Sequence, residues 1–295
     1  MKATIIITSF KEPNLAKAIK AAQNQKTKYE YNIIVSTPDS KVVQSLSELS
    51  VVDPRINVFQ DEGKGKVKAL NSLIKNIESD ILILTDGDVY INKYAVENIM
   101  TMFEDKNISC LTGRPVPLEN KSTKFGYFAN FLFDAAHEIR KRAFEERRFI
   151  ECSGYLFAFR NNFIKEIPLD IAEDCYIPAK FYENDYSIGY APGAQVFVRN
   201  VDNYKDWFKQ KMRTTKAHNN FDNYINVEKV RKVKSFSTEL KGITKLFTYP
   251  SNLIEFVWTL ELIAARGWMW VKVIIENTRG LNKYGDNWAR VESTK

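Results

Sequence analysis

Short apolar runs alternate with helix-like segments along the first part of the chain. Five runs are rich in β-branched residues and leucine and are apolar on both faces, which is typical of strands in a covered parallel sheet. These runs are Ala3–Thr8, Tyr31–Ser36, Ile56–Phe59, Ile81–Thr85 and Ile108–Thr112. Segments with a helical period lie between them, at Pro13–Gln25, Lys64–Ile77 and Asn92–Glu104, the last with Asn92 as its expected N-cap. This alternation predicts a doubly wound α/β fold with a mostly parallel central sheet.

The second half of the chain is less regular and richer in aromatic residues. Strands are predicted at Tyr155–Arg160 and Gln195–Arg199. Helices are predicted at Phe125–Arg148, within Leu169–Tyr182, at Asn203–Asn219 and at Ser251–Glu276. No stretch rich in glycine, serine or proline divides the chain. We therefore expect one catalytic domain over residues 1–222 and a C-terminal helical extension over residues 223–295.

Composition places the chain among globular proteins, with an excess of positive charge. The 295 residues are 44% hydrophobic and 27% charged, and the formal net charge is +7. Two basic clusters carry much of the excess: Arg140, Lys141, Arg142, Arg147 and Arg148, and then Lys205, Lys209, Lys211, Arg213 and Lys216. Such clusters suit a polyphosphate ligand, an anionic membrane surface or nucleic acid, although solvated helix faces explain them equally well.

Cysteine usage and the chain's hydrophobic segments bear on its location. The three cysteines are an odd number and lack metal-ligand spacing, and no signal peptide precedes the first strand, so we expect a cytoplasmic chain. The longest apolar segment, Leu253–Ile275, is interrupted by charges that fall on one side of a helical wheel. Such a helix could lie in a membrane interface, or it could dock on the catalytic domain or on a partner.

The sharpest chemical feature is Asp86-Gly87-Asp88, directly after the apolar run that ends at Thr85. Ligands of open α/β sheets bind outside the carboxyl ends of the strands, where these two carboxylates are expected. Glycine between them lets the backbone bend so that both face one point. Carboxylate oxygens suit a hard cation such as Mg²⁺ or Mn²⁺. A plain turn remains the alternative, because Asp and Gly dominate turns.

Six further motifs lie around this pair, each at the end of a predicted strand or on a predicted helix. In chain order they are Thr8-Ser9-Phe10-Lys11-Glu12, Ser36-Thr37-Pro38-Asp39, Gly65-Lys66-Val67-Lys68-Ala69-Leu70-Asn71, Ser153-Gly154-Tyr155, Glu173-Asp174 and Gln210-Lys211-Met212-Arg213-Thr214. Together with Asp-Gly-Asp they resemble the family 2 inverting glycosyltransferases of GT-A fold, over roughly residues 3–218. The last motif resembles the Gln-x-x-Arg-Trp of polysaccharide-forming members, with Thr214 in place of the Trp.

The resemblance implies a role for each of these residues. It implies donor-binding roles for Thr8, Ser9, Glu12, Asp39, Lys66, Asn71, Asp86, Gln210 and Arg213, and acceptor-binding roles for Ser153, Gly154 and Tyr155. It implies that Asp88, with Asp86 nearby, binds Mn²⁺ or Mg²⁺, and that Asp174, beside Glu173, is the catalytic base. Thr214 puts chain elongation in doubt, because the missing Trp helps to bind the acceptor sugar in processive members.

These observations predict an inverting, metal-dependent transfer of a sugar from a nucleotide-sugar donor, which the resemblance suggests is a UDP-sugar. The acceptor would be a hydroxyl of a glycan or a lipid-linked molecule, with peripheral contact to the inner face of the cell membrane and no nucleic acid partner. A polyprenyl-phosphate glycosyltransferase is the first alternative. A sugar-phosphate nucleotidyltransferase and a non-catalytic binding module are further ones, although the first strand lacks the Gly-rich loop that a nucleotidyltransferase would carry.

Overall fold

The computed structural model of the chain describes residues 1–161, 163–216, 220–230 and 248–278. These residues form an eight-stranded sheet in the order β3-β2-β1-β4-β7-β6-β8-β5. The strands are β1 (Lys2–Thr8), β2 (Glu30–Thr37), β3 (Ile56–Gln60), β4 (Ile81–Asp86), β5 (Tyr90–Ile91), β6 (Ile108–Pro117), β7 (Leu156–Arg160) and β8 (Ser187–Val198). A central sheet of this kind confirms the predicted fold class.

The first half of the sheet is parallel, and the second half is mixed. Strands β3, β2, β1 and β4 run in one direction, with Thr8 level with both Ser36 and Asp86 in the register. The carboxyl ends of β1, β2 and β4 therefore meet at one edge, which is where ligands of such sheets bind. Strand β7 pairs antiparallel with both β4 and β6 and so carries its own N-terminal residues to the same edge.

Helices cover both faces of the sheet. They are α1 (Leu15–Gln23), α2 (Ser40–Val52), α3 (Lys66–Ile74), α4 (Ala95–Met102), α5 (Lys124–Glu145), α6 (Glu173–Glu183), α7 (Tyr204–Lys216), α8 (Phe221–Tyr224) and α9 (Leu253–Thr278). One buried cluster includes Ile5, Ile33 and Ile83, and a second on the other face includes Leu82 and Phe157. The strands are buried on both faces for this reason, which is why they read as continuous apolar runs.

Two sequence-based expectations about local structure were wrong. Helix α2 was not predicted, because Leu46 is its one fully buried residue and so the apolar pattern of the segment is weak. Asn92 does not cap α4: the N-cap is Tyr94, without a side-chain cap bond. The Asn92 side chain instead donates to the backbone oxygen of Gly193, at 3.0 Å, and so ties the chain before α4 to β8.

Helix α9 packs against α5 and α7 through an aromatic cluster. The phenol oxygen of Tyr127 lies 2.6 Å from the hydroxyl of Thr259, and the Tyr127 ring contacts those of Trp258 and Tyr249. In the part of the chain that the structure describes, no helix is both long and apolar enough to cross a membrane. The end of the predicted basic helix, including His218, and much of the predicted C-terminal extension lie outside the described residues.

Candidate active site

Lys66 joins two carboxylates, those of Asp86 and Glu173, that lie far apart in the sequence. It is the first residue of α3, after Gly65, whose φ of 110° is one that other residues rarely adopt. Its Nζ lies 2.6 Å from Oδ1 of Asp86 and 2.7 Å from Oε1 of Glu173. Burial by itself would lower the pKa of Lys66, but attraction to the two carboxylates outweighs it and raises the pKa. The lysine is therefore a fixed positive charge.

Asp86 is held from the β1 side as well. The Thr8 hydroxyl donates to Asp86 Oδ1 at 3.0 Å, and the Gly87 N–H donates to the Thr8 backbone oxygen at 2.9 Å. A Cβ on Gly87 would lie 3.0 Å from the Cβ of Ser9, so the close approach of the two strand ends favours glycine here. Residues Thr8 and Ser9 are both buried. The end of β1 thus fixes the orientation of the first carboxylate.

Asp88 is open to solvent, unlike Asp86, yet it is surrounded by other acids. Partial desolvation by the surrounding protein, together with repulsion from Asp86 and Glu12, raises the pKa of Asp88 to about 6. Carboxylates that repel one another and are accessible to solvent favour a bound cation, which relieves the repulsion. This donor set fits a divalent ion at Asp88. Among the described residues, no three His, Cys, Asp or Glu side chains are grouped as a metal site.

The Tyr155 phenol marks the point where the charged residues converge. Burial raises the pKa of Tyr155, the charge of Asp88 raises it further, and Arg213 opposes this. Asp86 and Asp174 add smaller contributions in the same direction as Asp88. The pKa of one hydroxyl therefore depends on charges from β4, the turn after it, α6 and α7. The sequence predicted this convergence only through the resemblance.

Asp174 stands at the start of α6, beside Glu173. Its Oδ2 accepts the Gly154 N–H at 2.9 Å, and a Cβ on Gly154 would lie 3.0 Å from the same oxygen. Glu173 is buried, and burial raises the pKa of its carboxyl while Lys66 opposes the shift. The two neighbouring acids thus differ: Glu173 is engaged by a lysine, and Asp174 by a backbone amide.

Other predicted residues have structural contacts. The amide of Asn71 donates to the Ile167 backbone oxygen and accepts from the Ile167 N–H, both at 2.8 Å. Asp39 caps α2 by accepting the Lys41 N–H at 3.0 Å. Ser153 is buried, and its N–H donates to the Thr112 hydroxyl at 3.0 Å. Through these contacts Asn71, Asp39 and Ser153 stabilise the local structure. Their contacts with a ligand remain predictions.

The Gln210-to-Thr214 motif lies on α7. Gln210 is half-buried and Arg213 is exposed, on the helix that also carries Thr214. The Thr214 hydroxyl donates to the backbone oxygen of Gln210 at 3.0 Å. A polar residue that bonds to its own helix therefore occupies the position at which the resemblance leads us to expect an aromatic side chain.

Asp61 is an acidic residue at the ligand-binding edge that the sequence analysis did not single out. It follows β3, and its Oδ2 accepts the Ser36 hydroxyl while its Oδ1 accepts the Gly63 N–H, both at 2.8 Å. Gly63 has φ of 65° and lies against Pro38. An acid after a strand and two residues before a glycine resembles the signal that identified Asp86, and it could have identified Asp61.

Solved structures share this fold at low sequence identity. The mannosyltransferase PcManGT from Pyrobaculum calidifontis, in complex with GDP-Man and Mn²⁺, matches with a TM-score of 0.57 at 14% identity, over 99% of this chain and 84% of that one. S. aureus TarS in complex with UDP-GlcNAc matches with a TM-score of 0.53 at 18% identity, over 90% of this chain and 81% of that one. At such identities these similarities show the GT-A fold alone.

Sequence comparisons give the family. The O-antigen chain rhamnosyltransferase RfbN of Salmonella typhimurium is 26% identical over 219 residues, which are 69% of this chain and 68% of that protein. WbaN of Salmonella anatum, also an O-antigen chain rhamnosyltransferase, is 28% identical over 180 residues, or 57% of this chain and 55% of that protein. The family description Glycosyl transferase family 2 matches residues 4–167, more than half of the chain. The chain therefore belongs to glycosyl transferase family 2, and it is a glycosyltransferase.

Proposed function

We propose that this glycosyltransferase moves a sugar from a nucleoside diphosphate sugar to a hydroxyl of a glycan or lipid-linked acceptor, with inversion at the anomeric carbon. The observation that carries the proposal is the pair of salt bridges from Lys66 to Asp86 and Glu173, which bring the Asp86-Gly87-Asp88 turn next to Glu173-Asp174. Side chains that can bind the leaving diphosphate and its metal ion thus lie next to Asp174, which can accept a proton.

On the donor side, the chain supplies a fixed carboxylate and an arginine. The end of β1 would hold the nucleoside through Thr8, Ser9 and Glu12, while Asp86 is kept in place by Lys66 and Thr8. Arg213 would contact the diphosphate, for which its planar guanidinium is suited. Asp88 would hold Mn²⁺ or Mg²⁺, whose charge stabilises the negative charge that grows on the diphosphate.

On the acceptor side, Asp174 is the proposed base. The Gly154 N–H fixes one of its oxygens, and the second is then the one to accept the proton of the acceptor hydroxyl. Glu173 is already paired with Lys66, so we assign it a positioning role. General-base assistance is worth about 10²–10⁴ in rate. A single carboxylate base without a second nucleophile leads to single displacement and hence inversion.

The identity of the sugar and acceptor rests on the relatives. RfbN and WbaN are named as rhamnosyltransferases of O-antigen chains, so we propose a deoxyhexose donor and a growing polysaccharide as first candidates. The UDP that the resemblance implies is one candidate nucleotide, beside GDP and dTDP. Thr214 favours the addition of a single sugar over chain elongation.

The Asp174→Asn variant tests the proposed base. It should bind nucleotide with Mn²⁺ as the unaltered protein does, because its amide oxygen can still accept the Gly154 N–H, but it should lose turnover by about 10²–10⁴. Turnover is measured by nucleotide release from a panel of nucleotide-sugars with a glycan acceptor, a lipid-linked acceptor or polyprenyl phosphate. Retained turnover in the variant would remove Asp174 from the reaction.

A further inference from the structure

Helix α9 has two opposite faces, of which one is buried and the other exposed. Its buried side chains, among them Leu262, Met269 and Val273, pack toward α5 and α7. Its exposed side chains span the opposite arc of about 180° at 100° per residue. We call this surface the outer face; it includes Leu253, Val257, Leu260, Trp268, Val271 and Ile274. Apolar surface thus runs along α9 from Leu253 to Ile275.

The acidic residues of α9 are all turned toward the protein. Glu261 pairs with Lys124 at 2.7 Å, and Glu276 pairs with Lys216 at 2.6 Å. Glu255 is half-buried and accepts the Ser251 N–H at 2.8 Å. Among the described residues of α9, the exposed charged side chain is Lys272. The acidic side chains of α9 are thus paired within the protein, while its outer face presents apolar side chains where an ordinary surface helix presents polar ones.

Cations border the outer face. Helix α7 packs beside α9 and exposes Lys205 and Lys209 as well as Arg213. Lys272 lies with its Nζ 5.6 Å from the centre of the Phe208 ring of α7 and 5.8 Å from that of Trp268. An apolar strip with a tryptophan and a basic border, on a chain of net charge +7, has the composition of a surface that binds anionic lipid.

We propose that the outer face of α9 docks on a lipid bilayer that contains anionic lipids. The apolar side chains would enter the boundary between headgroups and acyl chains, while Lys205, Lys209 and Lys272 would meet the negative headgroups. Because the other side of α9 is packed on α5 and α7, the helix would lie parallel to the membrane plane. Charge favours the bilayer over a second copy of the chain, since two copies joined here would bring their cations together with no exposed acid on α9 to pair them.

Docking has a consequence for the acceptor, which rests on the proposed function. Arg213, a proposed donor-binding residue, belongs to the same helix as Lys205 and Lys209. A protein bound through α7 and α9 would therefore hold its cleft close to the headgroups. This position favours a lipid-linked acceptor over a free glycan.

Flotation of the full chain with vesicles tests the docking. Vesicles of phosphatidylcholine alone are compared with vesicles in which about a quarter of the lipid is phosphatidylglycerol. We expect binding to the anionic vesicles, weakened by high salt, and at least a tenfold loss in the double variant Leu260→Glu/Ile274→Glu. The matched control is Val51→Glu/Val52→Glu on α2, which adds the same charge at residues that are 83% and 81% exposed and should bind as the unaltered protein does. Circular dichroism melting verifies that both variants fold.

Three results would overturn the proposal. The first is failure of the unaltered protein to bind anionic vesicles, and the second is an equal loss of binding in both double variants. The third is that the unaltered protein forms a dimer in solution and binds no vesicles, while the Leu260→Glu/Ile274→Glu variant is a monomer. Nucleotide binding with Mn²⁺ is measured on the same samples and should not differ between them. A chain that binds vesicles but no nucleotide would contradict the proposed function alone, so the two failures are distinguishable.

Discussion

At the scale of single residues, Lys66 links the donor edge of the sheet to the helix that carries the proposed base. Its salt bridges to Asp86 and Glu173 occupy one carboxylate of each acidic pair. The second carboxylates, Asp88 and Asp174, both act on Tyr155. In each pair one acid forms a salt bridge with Lys66, and we propose that the other takes part in the reaction.

Gly154→Ala tests how closely Asp174 must be placed. The new methyl group would lie 3.0 Å from Oδ2 of Asp174, so the carboxylate must move by a few tenths of an ångström or more. Because reaction rates depend steeply on the position of a catalytic group, we expect turnover to fall by about tenfold to a hundredfold. Steady-state kinetics measures the loss, and unchanged nucleotide binding serves as the control. A variant with full turnover would show that the contact with Gly154 does not position the base.

At the scale of elements, most strands could be predicted from the sequence, but β5, the first part of β8 and some helices could not. Strands such as Ile81–Asp86 are buried on both faces, so their apolar runs are unmistakable. Helix α2 buries little and therefore gives a weak pattern. A helical wheel of α9 separates a charged arc from an apolar one. It does not show that the acidic side chains would pair with residues of the protein. That pairing depends on partners distant in sequence, such as Lys124.

The same limit applies to the candidate site. The acids Asp86, Asp88 and Asp174 could be proposed from local motifs and from the resemblance, because each follows a strand or begins a helix. The bridge from Lys66 to Glu173, and the bond from Gly154 to Asp174, join residues far apart in the chain. Local sequence carries no signal of such pairs.

The cap of α2 gives a prediction about an element. Asp39 accepts the Lys41 N–H, so Asp39→Ala should destabilise the protein by about 1 kcal/mol, whereas Asp39→Asn should cost little because asparagine caps helices equally well. Urea unfolding measures both variants. Equal destabilisation by alanine and asparagine would show that the carboxylate charge matters here and not the cap.

At the scale of the whole molecule, α9 is attached to the catalytic part through its buried face. The cluster that contains Tyr127, Trp207 and Leu262 joins α5, α7 and α9. The helix that carries Arg213 therefore lies between the proposed active site and the outer face of α9. A catalytic domain over residues 1–222 with a helical extension over residues 223–295 remains a prediction from sequence, and we expect from these contacts that the two parts unfold together.

Two leucines on α9 form a matched pair for testing this attachment. Leu262 is 2% exposed and Leu260 is 51% exposed. Leu262→Ala should lower the free energy of unfolding by about 2–5 kcal/mol through lost burial and a cavity, while Leu260→Ala should have little effect. Chemical denaturation should show a single transition in both. A Leu262→Ala variant as stable as the unaltered protein would mean that α9 is not packed on α5 and α7 in solution.

The central claim is that Asp88 holds a divalent cation against the diphosphate of the donor. Isothermal titration of the purified chain with UDP, GDP and dTDP, with and without Mn²⁺, tests it most directly. We predict that at least one nucleotide binds at least tenfold more tightly with Mn²⁺, and that Asp88→Asn removes this dependence while the thermal melt stays the same. Equal affinity with and without Mn²⁺, or a metal dependence that survives in Asp88→Asn, would contradict the account.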